Sequence, residues 1–226
     1  MRTLYHLPLS PFCRKVRLAL GEKRLEFALA YEPAWEKMPE FLSLNPAGTV
    51  PVLIDEDGTI VVHSTVIIEY LEENHLGVAL LPTPKAERVE ARRLAAWFDE
   101  KFHAEVTTRL LYEKMSRRHG GPRPVEASPS MASIREGMSY LRAHLELIGA
   151  LAEHRRWLAG DTLSVADLSA AAHLSCLDYL GDVPWSQYEA AKEWYVRLKS
   201  RPSFRPLLND IIPGMPPTRY YPLLDF

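Results

Sequence analysis

Cysteine is scarce in this chain: Cys13 and Cys176 are the two among 226 residues. They lie too far apart for a metal-ligand spacing, so no metal is expected, and a reducing compartment is the simpler setting. Long apolar runs are missing as well. None approaches the roughly 18 residues of a membrane span, so no membrane insertion is expected. Excess charge of either sign is absent: a net charge of −2 and a pI near 6.5 give no field suited to nucleic acid. The N-terminus lacks a signal-peptide layout, with Pro8 and Pro11 in a strand-like opening and Arg14-Lys15 soon after. No internal repeat is visible. These absences predict a cytoplasmic protein.

What is present is a hydrophobic share of 47% in a chain long enough for one large domain or two small ones. Residues 3–6 and 27–31 read as short buried strands around a helix that starts at Pro11, with Ser10 as its N-cap. In that helix Phe12, Val16 and Ala19/Leu20 form the expected core face, and Arg14, Lys15 and Arg17 are expected to face water. Residues 52–54 and 60–62 flank "DEDG" as an antiparallel hairpin, and a helix over 64–74 follows, capped by the Ser64 hydroxyl. This β-α-β-(α)-β-β-α order predicts a compact mixed sheet of the thioredoxin kind over residues 1–80.

The prolines of "LLPTPKAE" mark a linker at 81–88, and residues 89–205 read as all-helical. Leu94, Phe98, Phe102, Val106 and Leu110 recur every four residues along a helix spanning about 84–115. "SRRHGGPRPVEASPS" is a Gly/Pro-rich loop in which Arg117, Arg118 and Arg123 read as a solvated charge cluster. A second long helix covers about 129–151. "GDTLSVADLSAAAHLSCLDYL" opens with a capping box, Ser164 with Asp167, before an apolar body expected at the centre of the helical domain. A further helix covers 186–201. The tail, 206–226, carries four prolines from Ile212 onward and is not helical.

One pair, Val50-Pro51, suggests a binding site. A proline has no N–H for a ladder, so this one belongs at a strand start or in a cis turn. If cis, it turns the Val50 backbone N–H and C=O outward, where they can hold an extended peptide-like ligand. The helix starts at Pro11 and Ser64 would point donors at the same cleft, suiting a carboxylate.

"SPFCRKVRLAL", "NPAGTVPVL", the Ser64 helix start, "GDTLSVADLSAA" and "RPSF", in this order and spacing, make the chain resemble the cytosolic glutathione transferases over nearly its whole length. The resemblance implies a thioredoxin-like N-terminal domain that binds glutathione, an all-α C-terminal domain, and a homodimer with the long helices at its interface. The opening "MRTLYHLPLSPFCRKVRLAL", the tryptophan of "EPAWEKMPEFL" and the "LDF" ending are further similar to a bacterial subgroup of that family. Its members bind the tubulin-like division protein FtsZ and are not primarily enzymes.

The resemblance divides the site residues between two readings. In the first, the chain is a non-catalytic FtsZ adaptor with no cofactor. Ser10, Val50, Pro51, His63 and Ser64 then form a degenerate glutathione cleft. Trp35 and Asp225 form the partner surface, the latter held by docking of Tyr220, Leu223, Leu224 and Phe226. In the second, Ser10 donates to a glutathione thiolate and lowers its pKa; as a residue, Ser10 is equally well a simple N-cap. Cys13 is a lesser nucleophile candidate, more readily a small buried hydrophobe.

His63 departs most from the family pattern, which places Glu or Gln there to hold the γ-glutamyl end of the ligand. Losing a charge-assisted hydrogen bond of about 1.5–3 kcal/mol weakens binding roughly tenfold or more. Val66 likewise replaces a commonly small residue. The flanks Glu32, Glu36 and Lys37 suggest that Trp35 faces solvent as an anchor; the plainer alternative folds its ring over the cleft. Trp97, Trp157, Trp185 and Trp194 are expected in the core, and Asp167 as a folding cap.

Overall fold

The computed structural model describes residues 1–116 and 119–224. β1 (Arg2–His6) leads into α1 (Pro11–Glu22), and β2 (Phe27–Tyr31) returns parallel to β1. A 3-10 turn (Ala34–Glu36) and the short α2 (Pro39–Leu44) carry the chain to β3 (Val52–Ile54) and β4 (Ile60–Val62), an antiparallel hairpin. α3 (Ser64–Asn74) closes the unit. The strand order is β2-β1-β3-β4, with β3 antiparallel to β1. This is the thioredoxin-like mixed sheet, and the Val50-Pro51 peptide bond that enters β3 is cis.

The rest is helical. α4 (Lys85–Ala96) continues through a π-helical stretch (Trp97–Thr107) into α5 (Thr108–Lys114), and α6 (Met131–His154) packs against this rod. α7 (Val165–Leu180), a 3-10 turn (Trp185–Gln187), α8 (Glu189–Lys199) and the one-turn α9 (Arg205–Leu208) follow. Leu94, Phe98, Phe102, Val106 and Leu110 are all fully buried. Their stripe is covered within one chain, as part of the core of the helical domain.

α7 is the buried axis of the helical domain, and its start shows why. Ser164 Oγ accepts from the Ala166 amide, while Asp167 accepts from the Ser164 amide at 3.0 Å, the capping box read from the sequence. Asp167 Oδ1 also accepts from Leu158 N and Trp194 Nε1, both at 2.9 Å. Its carboxylate therefore ties three segments together. Trp157, Trp185 and Trp194 are buried, whereas Trp97 is half-buried and donates to His144 Nδ1.

α1 corrects the helical-wheel reading. Arg14, Lys15 and Arg17 do not face water; they are 0%, 1% and 4% exposed. The wheel assumes one core, but α1 packs against α3 of its own domain and against α7 of the helical domain. Burying a charge is costly unless it is paired, and each of these charges is. Arg14 and Arg17 share Asp210, Lys15 pairs with Asp99, and at the far end Glu22 accepts a bidentate contact from Arg201 at 2.6 and 2.7 Å. Lys23 reaches Glu72 at 2.7 Å.

Two further expectations shift. α3 is capped by the backbone of His63, at φ +74°, so Ser64 is the first helical residue rather than the cap. The tail docks through Tyr221, fully buried, whereas Tyr220, Leu223 and Leu224 are exposed. A glycine makes this docking possible: a Cβ on Gly181 would come within 2.6 Å of the Thr218 side chain. Asp225 and Phe226, like Arg117 and Arg118, lie outside the described residues.

Candidate functional site

A cavity of about 480 Å³ opens where the N-terminal end of α1, the cis turn and the start of α3 converge. Ser10, Val50, Pro51, His63 and Ser64 all line it, so the structure brings together the five cleft residues read from the sequence. Trp35 lines it too. The 3-10 turn that carries Trp35 leaves the residue half-buried on the cleft wall. Of its charged flanks Glu36 and Lys37 are exposed, but Glu32 is buried, and burial followed by Glu36 pushes its carboxyl upward.

Each polar group in the cleft has a distinct standing. Ser10 Oγ accepts from the Cys13 amide at 3.4 Å, the capping role, while the residue remains on the cleft wall. Ser64 is 1% exposed and its Oγ has no hydrogen-bond partner among the described residues, at the first turn of an eleven-residue helix. Buried polar atoms are ordinarily bonded, so this hydroxyl is an open valence at a helix N-terminus, where an anion is favoured. The Val50 amide and carbonyl take no backbone partner among the described residues. His63 donates its amide to Pro51 O at 3.3 Å and brings an imidazole where an acidic or amide side chain would hold an ammonium.

Cys13 does not reach the cleft. It is fully buried, and burial, only partly offset by Ser10, pushes its thiol up to about 11. Burial and the raised value both weigh against a cysteine nucleophile here. Cys176 is equally buried and raised to about 11.

The helical domain supplies a wall that the sequence did not mark. Tyr112 and Met115 from the end of α5, with Gly120, Gly121 and Pro122 after it, face the cleft. Burial pushes the Tyr112 phenol upward, so it stays a neutral hydroxyl. Gly121 is required by close approach, since a Cβ there would lie 2.3 Å from Met115 O. The Gly/Pro-rich composition of this loop signalled a turn; nothing signalled that it would fold onto the other domain.

A second cavity of about 320 Å³ shares Phe12 and His63 with the first and reaches Lys15, Asp99, Glu69 and Arg92. Burial works upward on the Asp99 carboxyl, but His173 and Lys15 outweigh it and hold it low. His103 packs at a tilt against Phe12, with ring centroids 4.9 Å apart, and burial, then His173, lower its imidazole to about 4. Among the described residues no group of three or more His, Cys, Asp or Glu is placed to hold a metal, and no helix is long and apolar enough to cross a membrane.

Comparison with known proteins agrees with this geometry. Models of the glutathione S-transferase N-terminal and C-terminal domains match residues 4–79 and 131–197. FtsZ-localized protein A of Caulobacter vibrioides is 49% identical over 228 residues, covering 100% of this chain and 98% of that protein. The chain belongs to the glutathione S-transferase superfamily. A glutathione S-transferase from Rhodospirillum rubrum F11 superposes with a TM-score of 0.96 at 49% identity, both chains covered in full. FzlA from C. crescentus superposes with a TM-score of 0.94 at 49% identity, covering 100% of this chain and 99% of that one.

Proposed function

We propose that this protein is a non-catalytic, glutathione-transferase-like homodimer that binds FtsZ polymers in the cytoplasm at the division site and so regulates bacterial cell division. The observation that carries the reading is the 49% identity along the whole chain to a protein whose name records its localization with FtsZ. The cleft supports it. Ser10 is engaged as a helix cap, Cys13 is sealed off, and His63 stands where a carboxylate or amide would hold a ligand ammonium. Trp35 and the C-terminal residues through Asp225 form the partner surface, which needs no cofactor.

Two copies give two such surfaces, and a bivalent body gains avidity on a filament through effective concentration. With the Leu94–Leu110 stripe buried, the face offered for pairing runs along α3 and α4. There Val66 and Val89 are exposed beside the Glu69–Arg92 ion pair, at 3.1 Å. Light scattering at micromolar concentration should report a dimer that Val66→Asp with Val89→Asp converts to a monomer.

The second reading, an active transferase in which Ser10 activates the glutathione thiol, is favoured by one observation: the Ser64 hydroxyl remains unpartnered beside an open cavity. Co-pelleting with GTP-assembled FtsZ, run beside glutathione calorimetry, separates the two. The adaptor reading expects pelleting with FtsZ and weak or no heat with glutathione. Tight glutathione binding without pelleting would reverse the assignment.

A further inference from the structure

One buried side chain of α1 touches both the turn that lines the cleft and the residue that seats the C-terminal tail. Arg14 is fully buried. Its Nε donates to Pro8 O at 2.7 Å, in the turn whose residues Leu7, Leu9 and Ser10 line the cleft. Its Nη1 donates to Tyr221 OH at 3.0 Å and to Ser175 Oγ at 2.9 Å, and its Nη2 to Asp210 Oδ2 at 3.1 Å. Tyr221 is the residue that seats the tail, and it passes the contact on by donating to Leu207 O at 3.0 Å. The same turn is held from behind by Cys176, whose Sγ donates to Leu9 O at 3.3 Å.

A second connection runs in parallel. The segment after α5 lies against the cleft turn, where a Cβ on Gly120 would sit 3.6 Å from the Leu7 side chain and 3.7 Å from the Tyr31 hydroxyl. Its other side meets the tail, where a Cβ on Gly214 would sit 3.6 Å from His119 Nε2.

We propose that Arg14 is a positioning residue that fixes the floor of the cleft and the seat of the C-terminal tail as one unit, so that loosening either loosens the other. The planar guanidinium suits this task, because its donors leave in fixed directions and a shift of one partner costs the geometry of the rest. Coupling of this kind is reciprocal. Its use in binding a filament rests on the function proposed above, but the coupling itself is a property of the free protein and is tested without a partner.

Both cysteines touch the cleft turn, Cys13 through the Ser10 cap and Cys176 through Leu9 O. Since the chain holds two cysteines, the rate of native-state labelling by dithionitrobenzoate reports opening of that turn. Tyr221→Phe removes the tail hydroxyl and keeps the ring. It should speed labelling about tenfold, the opening expected from one lost charge-assisted hydrogen bond, with amide exchange in α6 unchanged. Ser175→Ala, which removes an Arg14 partner that makes no hydrogen bond to the tail, should speed amide exchange over residues 218–224. Labelling at the parent rate in Tyr221→Phe, tail exchange at the parent rate in Ser175→Ala, or acceleration spread equally into α6 would each overturn the proposal.

Discussion

The seam that α1 makes with the helical domain and the cleft at its N-terminal end are built to opposite specifications. Along the seam with the helical domain, each charge of the helix has a partner: Arg14 and Arg17 on Asp210, Lys15 on Asp99, Glu22 on Arg201. At the cleft the polar groups stand open, with Ser64 Oγ unpartnered and the Val50 backbone unpaired. A buried charge with its partners removed is strongly destabilising, so the seam serves stability and the mutual placement of the domains. An open valence at a helix N-terminus contributes nothing to stability and is useful only with an occupant. The contrast separates what holds the molecule from what is available for binding.

The comparison breaks most severely at the seam. Arg14→Ala leaves the Asp210 carboxylate with one guanidinium instead of two and takes the donor away from Pro8 O, Ser175 Oγ and Tyr221 OH. We expect a loss of about 3–5 kcal/mol in urea denaturation. A loss under about 1 kcal/mol would show the seam to be a passive contact.

Acid is the next largest perturbation, and it reaches both sides. His6, lowered to about 4 by burial and then Arg17, lies at the seam; His103, lowered to about 4, packs against Phe12 of the cleft wall. Because the folded values lie below the ordinary 6.5, the unfolded chain binds more protons between about 4 and 6.5. Stability is therefore full above that window and falls as the pH drops through it, on the order of 1–2 kcal/mol per histidine at pH 5. Urea midpoints at pH 7 and pH 5 check this, and His103→Gln should reduce the difference.

The smallest expected effect is at the cleft. Ser64→Ala removes a hydroxyl that has no partner, so stability should stay within about 1 kcal/mol of the parent or rise. A larger loss would mean that the hydroxyl is satisfied within the fold and that the cleft is not open.

Much of this was legible beforehand, and the failures share a cause. Ser10 before Pro11, the Ser164–Asp167 box and the Leu94–Leu110 stripe are local signals, complete within one turn or one helix, and all three appear as read. Ser10, Val50, Pro51 and Ser64 were found because a proline and two helix starts mark positions in sequence, and His63 through the family resemblance. Arg14, Lys15 and Arg17 were misplaced because their partners lie far along the chain, Ser175, Tyr221 and Asp210 for Arg14, and a wheel cannot register them. The same blindness hid Tyr112 and Pro122, which join the cleft only when one domain folds onto the other. Charged neighbours made Trp35 look solvated, although Glu32 beside it is buried.

The account turns on whether the cleft serves a partner or a reaction, and Trp35 and Ser10 line the same cavity with different parts in the two readings. The direct measurement is co-sedimentation with GTP-assembled FtsZ for the parent, Trp35→Ala and Ser10→Ala. The parent and Ser10→Ala should pellet alike, and Trp35→Ala should lose about 2 kcal/mol or more of binding while keeping the fold and the assembly state of the parent. Undiminished pelleting of Trp35→Ala, or robust thiol conjugation by the parent that Ser10→Ala abolishes, would contradict it.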